Sequence, residues 1–169
     1  MLARRRLLGM LGLAQLGLVA CNRRPQTPML QAGDSLPGAE LLALDGRSYS
    51  LFPNNGPFLL NFWATWCLPC RAEMGALDRL HRSFSPRGLK VIGIAVDTDV
   101  FLVREYVLKE GLSLPILLDP DGILAQKGFR IPAYPASYLA DQAGLIAESW
   151  LGQIDWDSVT IRQRIGRVL

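Results

Sequence analysis

Only three cysteines and one histidine occur in the 169 residues, and that scarcity removes whole classes of chemistry. A structural zinc site usually takes four ligands, often as two Cys-x-x-Cys pairs or with histidines. Beyond Cys67 and Cys70 the chain offers only Cys21 and His81. Attachment of a c-type haem requires histidine directly after the second cysteine, and Arg71 stands there instead. No His-rich or Met-rich motif accompanies the cysteine pair, which counts against a Cu(I)-handling role for the two thiolates. Acidic residues are missing before Asp34, so Arg4, Arg5 and Arg6 account for the formal charge of +3. Without residues 1–20 the chain holds 15 basic and 15 acidic side chains. The basicity belongs to the leader and makes no case for nucleic-acid binding. Internal repeats and low-complexity tracts are also lacking.

What the chain does hold is concentrated in Trp66-Cys67-Leu68-Pro69-Cys70. A strongly apolar run, 58–64, precedes it, and residues suited to a helix follow. Side chains at i and i+3 on the first turn of a helix lie about 5–6 Å apart, close to what a disulfide needs. Cys67 then sits at the helix N-terminus, where unpaired N–H groups and the macrodipole favour a thiolate. Pro69 is tolerated in the first turn because its missing N–H has no partner to lose there. The expected chemistry is reversible dithiol–disulfide exchange. Cys67, nearer the tip, is the expected nucleophile, and Cys70, one turn inside, resolves the mixed disulfide.

The leader pairs a basic stretch, Arg4-Arg5-Arg6, with an apolar run from Leu7 to Ala20. That run is short for a spanning helix and typical of a signal peptide. It ends Leu18-Val19-Ala20-Cys21, which resembles a bacterial lipobox whose cysteine becomes the lipidated first residue. An ordinary signal peptide or an uncleaved anchor, with Cys21 incidental, is the alternative. The arginines stand without a preceding Ser or Thr, so general secretory export ranks ahead of the twin-arginine route. The expected organisation is a signal peptide over 1–20, a lipid-anchored linker over 21–33 and one domain over 34–169. With Cys21 lipidated, Cys67 and Cys70 are the only thiols of the mature chain. They pair with each other or, transiently, with a partner.

Within the domain, Asp45-Gly46 between two short apolar stretches signals a hairpin. The runs 58–64 and 89–96 read as buried strands. Cys67 to about Phe84 reads as a helix on the spacing of Leu77, Leu80 and Phe84. Thr98 or Asp99 caps a second helix reaching Glu110. A short strand over 116–118 and a short helix over 123–128 follow. Strands over 137–140 and 146–151 form a hairpin, and a last helix is expected over 156–168, capped at Asp155. The order fits an α/β sheet with helices on both faces.

Two segments carry a family resemblance. "NFWATWCLPCRAEM", from Asn61 to Met74, resembles the active-site segment of thioredoxin-fold proteins, above all the extracytoplasmic TlpA/ResA-like thiol–disulfide oxidoreductases. "FRIPAYPASYLAD", from Phe129 to Asp141, resembles the family's proline segment. The resemblance spans about residues 34–169. It implies a thioredoxin fold: a central mixed β-sheet flanked by helices, an N-terminal β-hairpin, and a TlpA-type insertion over 98–123. It implies a cis-proline at Pro135, with Tyr134 presenting its backbone to an extended substrate segment in the manner of strand addition.

Asn61 replaces the buried aspartate of thioredoxin and cannot titrate. Proton transfer then falls to water or another acid, with Glu73 the nearest candidate; a solvated helix glutamate is an equal reading of that residue. Gly75 stands where many relatives carry a helix-kinking proline. Trp63 and Trp66 are expected to pack, and Trp66 to shield one side of the dithiol. Asp97 and Asp99 read as loop solvation or helix caps.

The function so implied is a membrane-anchored, extracytoplasmic reductase of protein disulfides on the periplasmic side of a bacterial membrane. A membrane electron-donor thiol protein would keep it reduced. The substrate class it implies is apocytochrome c during cytochrome c maturation. No cofactor or metal is called for, and a monomer is expected. A protein disulfide oxidase is the leading alternative. Strong oxidants of the fold place histidine between their cysteines, where this chain has Leu68-Pro69. A binding module without redox chemistry and a peroxiredoxin-type peroxidase fit the intact cysteine pair and its context less well.

Overall fold

The computed structural model describes residues 28–51 and 56–169. The leader, Cys21 and most of the expected linker lie outside the described residues. Strands β1 (Ala39–Ala43) and β2 (Ser48–Leu51) form the N-terminal hairpin. Then come β3 (Phe58–Trp63), α1 (Leu68–Phe84), β4 (Lys90–Ala95), α2 (Val100–Glu110) and β5 (Ile116–Leu118). A π-turn (Leu124–Gly128), β6 (Ala136–Ala140), β7 (Ile146–Leu151) and α3 (Val159–Gly166) complete the order. The seven strands make one mixed sheet in the order β2-β1-β5-β4-β3-β6-β7.

The apolar run 58–64 becomes the centre of that sheet because it has no polar face to show water. Every residue of β3 is buried. It pairs parallel to β4 and antiparallel to β6. Strand side chains alternate between faces, and two cores result. Leu59 and Trp63 join Val91, Ala95, Leu139 and the buried face of α1 on one side. Phe58, Leu60 and Phe62 join Ile92, Ile94 and Tyr138 on the other. Asn61 lies on the α1 side by the same alternation.

Helical cover is unequal. Buried residues of α1, α2 and α3 share one core. The opposite face is closed by the π-turn, through Ala125, and by residues 29–36. That second contact revises the expected linker. Leu30 is only 5% exposed, and the Gly33 amide donates to the Ile146 carbonyl at 2.8 Å. The chain is therefore docked on the domain before residue 34.

Asp99 caps α2 by accepting from the Phe101 amide. Helix α1 runs unbroken through Gly75. The last helix departs from expectation. It starts at Val159, and its cap residue Ser158 makes no side-chain cap bond. Asp155 instead closes a preceding turn, accepting from the Asp157 amide at 3.2 Å. Trp156 is not helical at all; it is fully buried beside Trp150. Its apolar bulk marks a core anchor, which a periodic pattern alone reads as a helix position.

Candidate active site

The dithiol sits where β3 hands over to α1. Cys67 is the N-cap of α1, with an extended backbone (φ −89°, ψ 103°), and its Sγ accepts from the Cys70 amide at 3.3 Å. A sulfur thus occupies the place usually taken by a capping oxygen. Cys67 and Cys70 form a disulfide with Cα atoms 5.3 Å apart. Cys67 keeps 6% exposure and Cys70 none. Attack from outside is therefore possible only at Cys67.

The loop carrying Cys67 is tied to the end of β4. Asp97 is buried, and both its oxygens accept from the Thr65 amide at 3.1 Å. The Thr65 hydroxyl donates to the same carboxylate. Asp97 is thus a loop anchor rather than solvation, which reading residues singly cannot reveal because Thr65 lies 32 positions away.

One turn along α1 from Cys70, Glu73 is 2% exposed, so it is not a solvated helix glutamate. The register explains its company. Asn61 on β3 stands opposite Ser137 on β6. Asn61 Nδ2 donates to Glu73 Oε1 at 2.7 Å and to Ser137 Oγ at 3.0 Å. Glu73 Oε2 accepts from the Ile154 amide at 2.8 Å. Burial lifts the Glu73 carboxyl from 4.5 to about 7, against the opposing pull of the Ile154 amide, the Asn61 amide and the nearby Trp156 indole. That indole closes no hydrogen bond of its own. A carboxyl poised near 7 can exchange a proton at neutral pH. Ser137 and Trp156 belong to this cluster; strand pairing brings in Ser137, and the turn between β7 and α3 brings in Trp156.

Tyr134 and Pro135 lie on the loop entering β6, and the peptide bond between them is cis. The Tyr134 ring stands edge-on to Trp66 with centroids 6.1 Å apart. Trp63 is packed in the core, but Trp66 is 66% exposed and does not serve as a core residue. Leu68 is exposed as well. The structure thus gathers Cys67, Cys70, Trp66 and Tyr134-Pro135 at one end of the sheet. It joins Asn61 to Glu73 beneath. Cys21 lies outside the described residues.

A thioredoxin-type sheet with a Cys-x-x-Cys disulfide at a helix N-terminus defines a thiol–disulfide oxidoreductase. Residues 32–149 match the AhpC/TSA family, and the chain belongs to it. It is similar to the thioredoxin-like protein YneN of Bacillus subtilis, at 35% identity over 127 residues and 73% of each chain. It is also similar to the thiol-disulfide oxidoreductase ResA of Bacillus thuringiensis, at 29% identity over 125 residues, covering 73% of this chain and 72% of that one. Among solved structures, a thiol:disulfide interchange protein of the thioredoxin family from Chlorobium tepidum shares the fold. The TM-score is 0.69 at 23% identity, covering 84% of this chain and 99% of that one.

Proposed function

We propose that this protein is an extracytoplasmic, membrane-anchored reductase of protein disulfides, with apocytochrome c in cytochrome c maturation as its substrate class. The observation that carries the mechanism is the Cys67 sulfur at the N-cap of α1, with Cys70 sealed beneath it and Glu73 buried one turn further on. The Cys70 amide and the helix N-terminus favour negative charge on Cys67 sulfur.

In the reduced protein the Cys67 thiolate attacks one sulfur of a substrate disulfide. A mixed disulfide forms, and the other substrate sulfur leaves as a thiolate. Glu73, held by Asn61, accepts the Cys70 proton. The Cys70 thiolate then attacks Cys67 Sγ, and the second substrate sulfur leaves. The substrate gains two electrons, and its two thiolates take up one proton from Glu73 and one from solvent. The protein is left with the Cys67–Cys70 disulfide until a membrane dithiol protein reduces it. Exposed Trp66, with Tyr134 and Pro135, receives the substrate segment. Leu68-Pro69, in place of a histidine between the cysteines, supports the reductive direction. Residues 1–20 direct export, lipidated Cys21 anchors the chain, the stretch between Cys21 and the docked segment at residues 29–36 tethers it, and the domain acts as a monomer.

Trapping tests the scheme. Cys70→Ser, expressed in a bacterium, should accumulate mixed disulfides on Cys67 that dissolve in dithiothreitol, with apocytochrome c among the partners. A free Cys67 thiol with no adducts would overturn the dithiol mechanism. Adducts that never include apocytochrome c would overturn the substrate assignment.

A further inference from the structure

A groove of about 890 Å³ runs from the docked N-terminal segment to the loop before β6, with Met29, Gln126, Lys127, Arg130, Pro132 and Tyr134 on its walls. It ends at Tyr134, the partner of Trp66, which directly precedes Cys67. The groove thus adjoins the loop that carries the dithiol through the Tyr134–Trp66 contact.

The groove is cationic. Among the described residues that line it, Lys127 and Arg130 carry charge, both are exposed, and no acid is present. The chain's 15 acidic side chains all lie at or beyond Asp34, and 52–55 contains none, so every one belongs to the described residues. The ion pairs these acids form involve Arg47, Arg79, Arg82, Arg162 and Arg164, and none involves Lys127 or Arg130. Arg130 also holds a left-handed backbone, φ 57°, where glycine or asparagine is the usual occupant. The amides on either side of it are fixed, Phe129 to the Leu124 carbonyl and Ile131 to the Ala125 carbonyl, each at 2.9 Å. The backbone at Arg130 is thus fixed in a bend where glycine or asparagine would sit with less strain.

We propose that this groove binds an acidic stretch of the polypeptide substrate, adjoining the disulfide that Cys67 attacks, and so sets which disulfides the enzyme prefers. The inference rests on the exchange chemistry proposed above. A polypeptide fits better than an anionic membrane. Lipid-binding patches gather about 4–8 basic residues beside the bilayer, whereas among the described residues two cations share a groove that adjoins the dithiol loop through Tyr134 and Trp66.

The test uses the full-length reduced protein and three oxidised Cys-x-x-Cys peptides, flanked by glutamates, serines or lysines. Exchange is followed by stopped-flow tryptophan fluorescence. At 10 mM salt the glutamate peptide should react about tenfold faster than the lysine peptide. The ratio should fall towards one at 1 M salt, where charges are screened within about 3 Å. Lys127→Glu with Arg130→Glu should invert the order, an outcome that loss of folding cannot produce. Equal wild-type rates, or an unchanged ratio in the double variant, overturn the groove assignment and leave the oxidoreductase reading standing. Failure of wild type to exchange with any peptide overturns that reading and this one with it. Binding to phosphatidylglycerol over phosphatidylcholine vesicles that the double variant loses, with the peptide order unchanged, overturns the polypeptide assignment in favour of lipid.

Discussion

Glu73 is a carboxyl whose surroundings oppose its own charge. Its two oxygens are satisfied by Asn61 and the Ile154 amide, yet desolvation outweighs both and places its titration near 7. The folded state therefore holds the proton more tightly than the unfolded chain. The stability tied to that proton is fully present below the ordinary value of 4.5 and is lost as pH rises to about 7. A shift of this size corresponds to about 3 kcal/mol. Glu73→Gln should flatten the fall in unfolding free energy of the oxidised protein between those pH values, as measured by urea denaturation. The same variant should slow resolution of the mixed disulfide and remove an inflection near pH 7 from the exchange rate. A steep stability loss retained in Glu73→Gln would assign it to another group. Asn61→Asp is the converse change. It places a second carboxyl beside Glu73 and should move the inflection upward, since two buried carboxylates resist ionising together.

At the level of elements, α1 is held at its far end as carefully as at the dithiol. Asp78 is buried on α1, and its Oδ1 accepts from the Ser113 amide at 2.7 Å, the Ser113 hydroxyl at 2.9 Å and the Leu114 amide at 2.9 Å. Arg82 pairs with its other oxygen at 2.8 Å. Burial pushes this carboxyl up, but the Ser113 and Leu114 bonds and the Arg82 charge together hold it below the usual aspartate value. Its contribution is thus present at neutral pH and fades only as pH falls through that lowered value. The bonds clamp α1 to the chain entering β5. Asp78→Ala strands the Ser113 and Leu114 donors and should cost about 2–3 kcal/mol. For a domain of this size that is a fall of roughly 5–10 °C in Tm. Calorimetry of the oxidised protein checks it, and a change within about 1 °C would show that the clamp adds nothing.

On the scale of the whole molecule, the question is which way electrons flow. The described residues contain no helix long and apolar enough to cross a membrane; the proposed scheme assigns attachment to lipidated Cys21. The chain beyond Cys21 then works as a single-dithiol carrier between a membrane donor and its substrate. A reductase in that position should have an equilibrium potential nearer the −270 mV of thioredoxin than the roughly −120 mV of the strong oxidant of this fold. Equilibration against glutathione buffers, with alkylation to count free thiols, measures it. A value at the oxidising end would reverse the proposed direction and make the protein a disulfide oxidase.

Much of this was legible in the chain. The apolar run at 58–63, the cysteine spacing and the turn at Asp45-Gly46 act over a few residues, and local periodicity and sterics decide them. So the central strand, the active-site helix and the dithiol followed from the sequence alone. The three-helix face, the docking of Leu30 and the late start of α3 did not, because each depends on partners distant in sequence. The site divides along the same line. Cys67 and Cys70 are three residues apart and declare themselves. Glu73 became more than a helix glutamate only when strand pairing set Asn61, 12 residues away along the chain, opposite Ser137 and packed α1 above them. Desolvation has no signature in a residue's neighbours along the chain; it arises when the fold closes over the group, and the tertiary structure alone determines it.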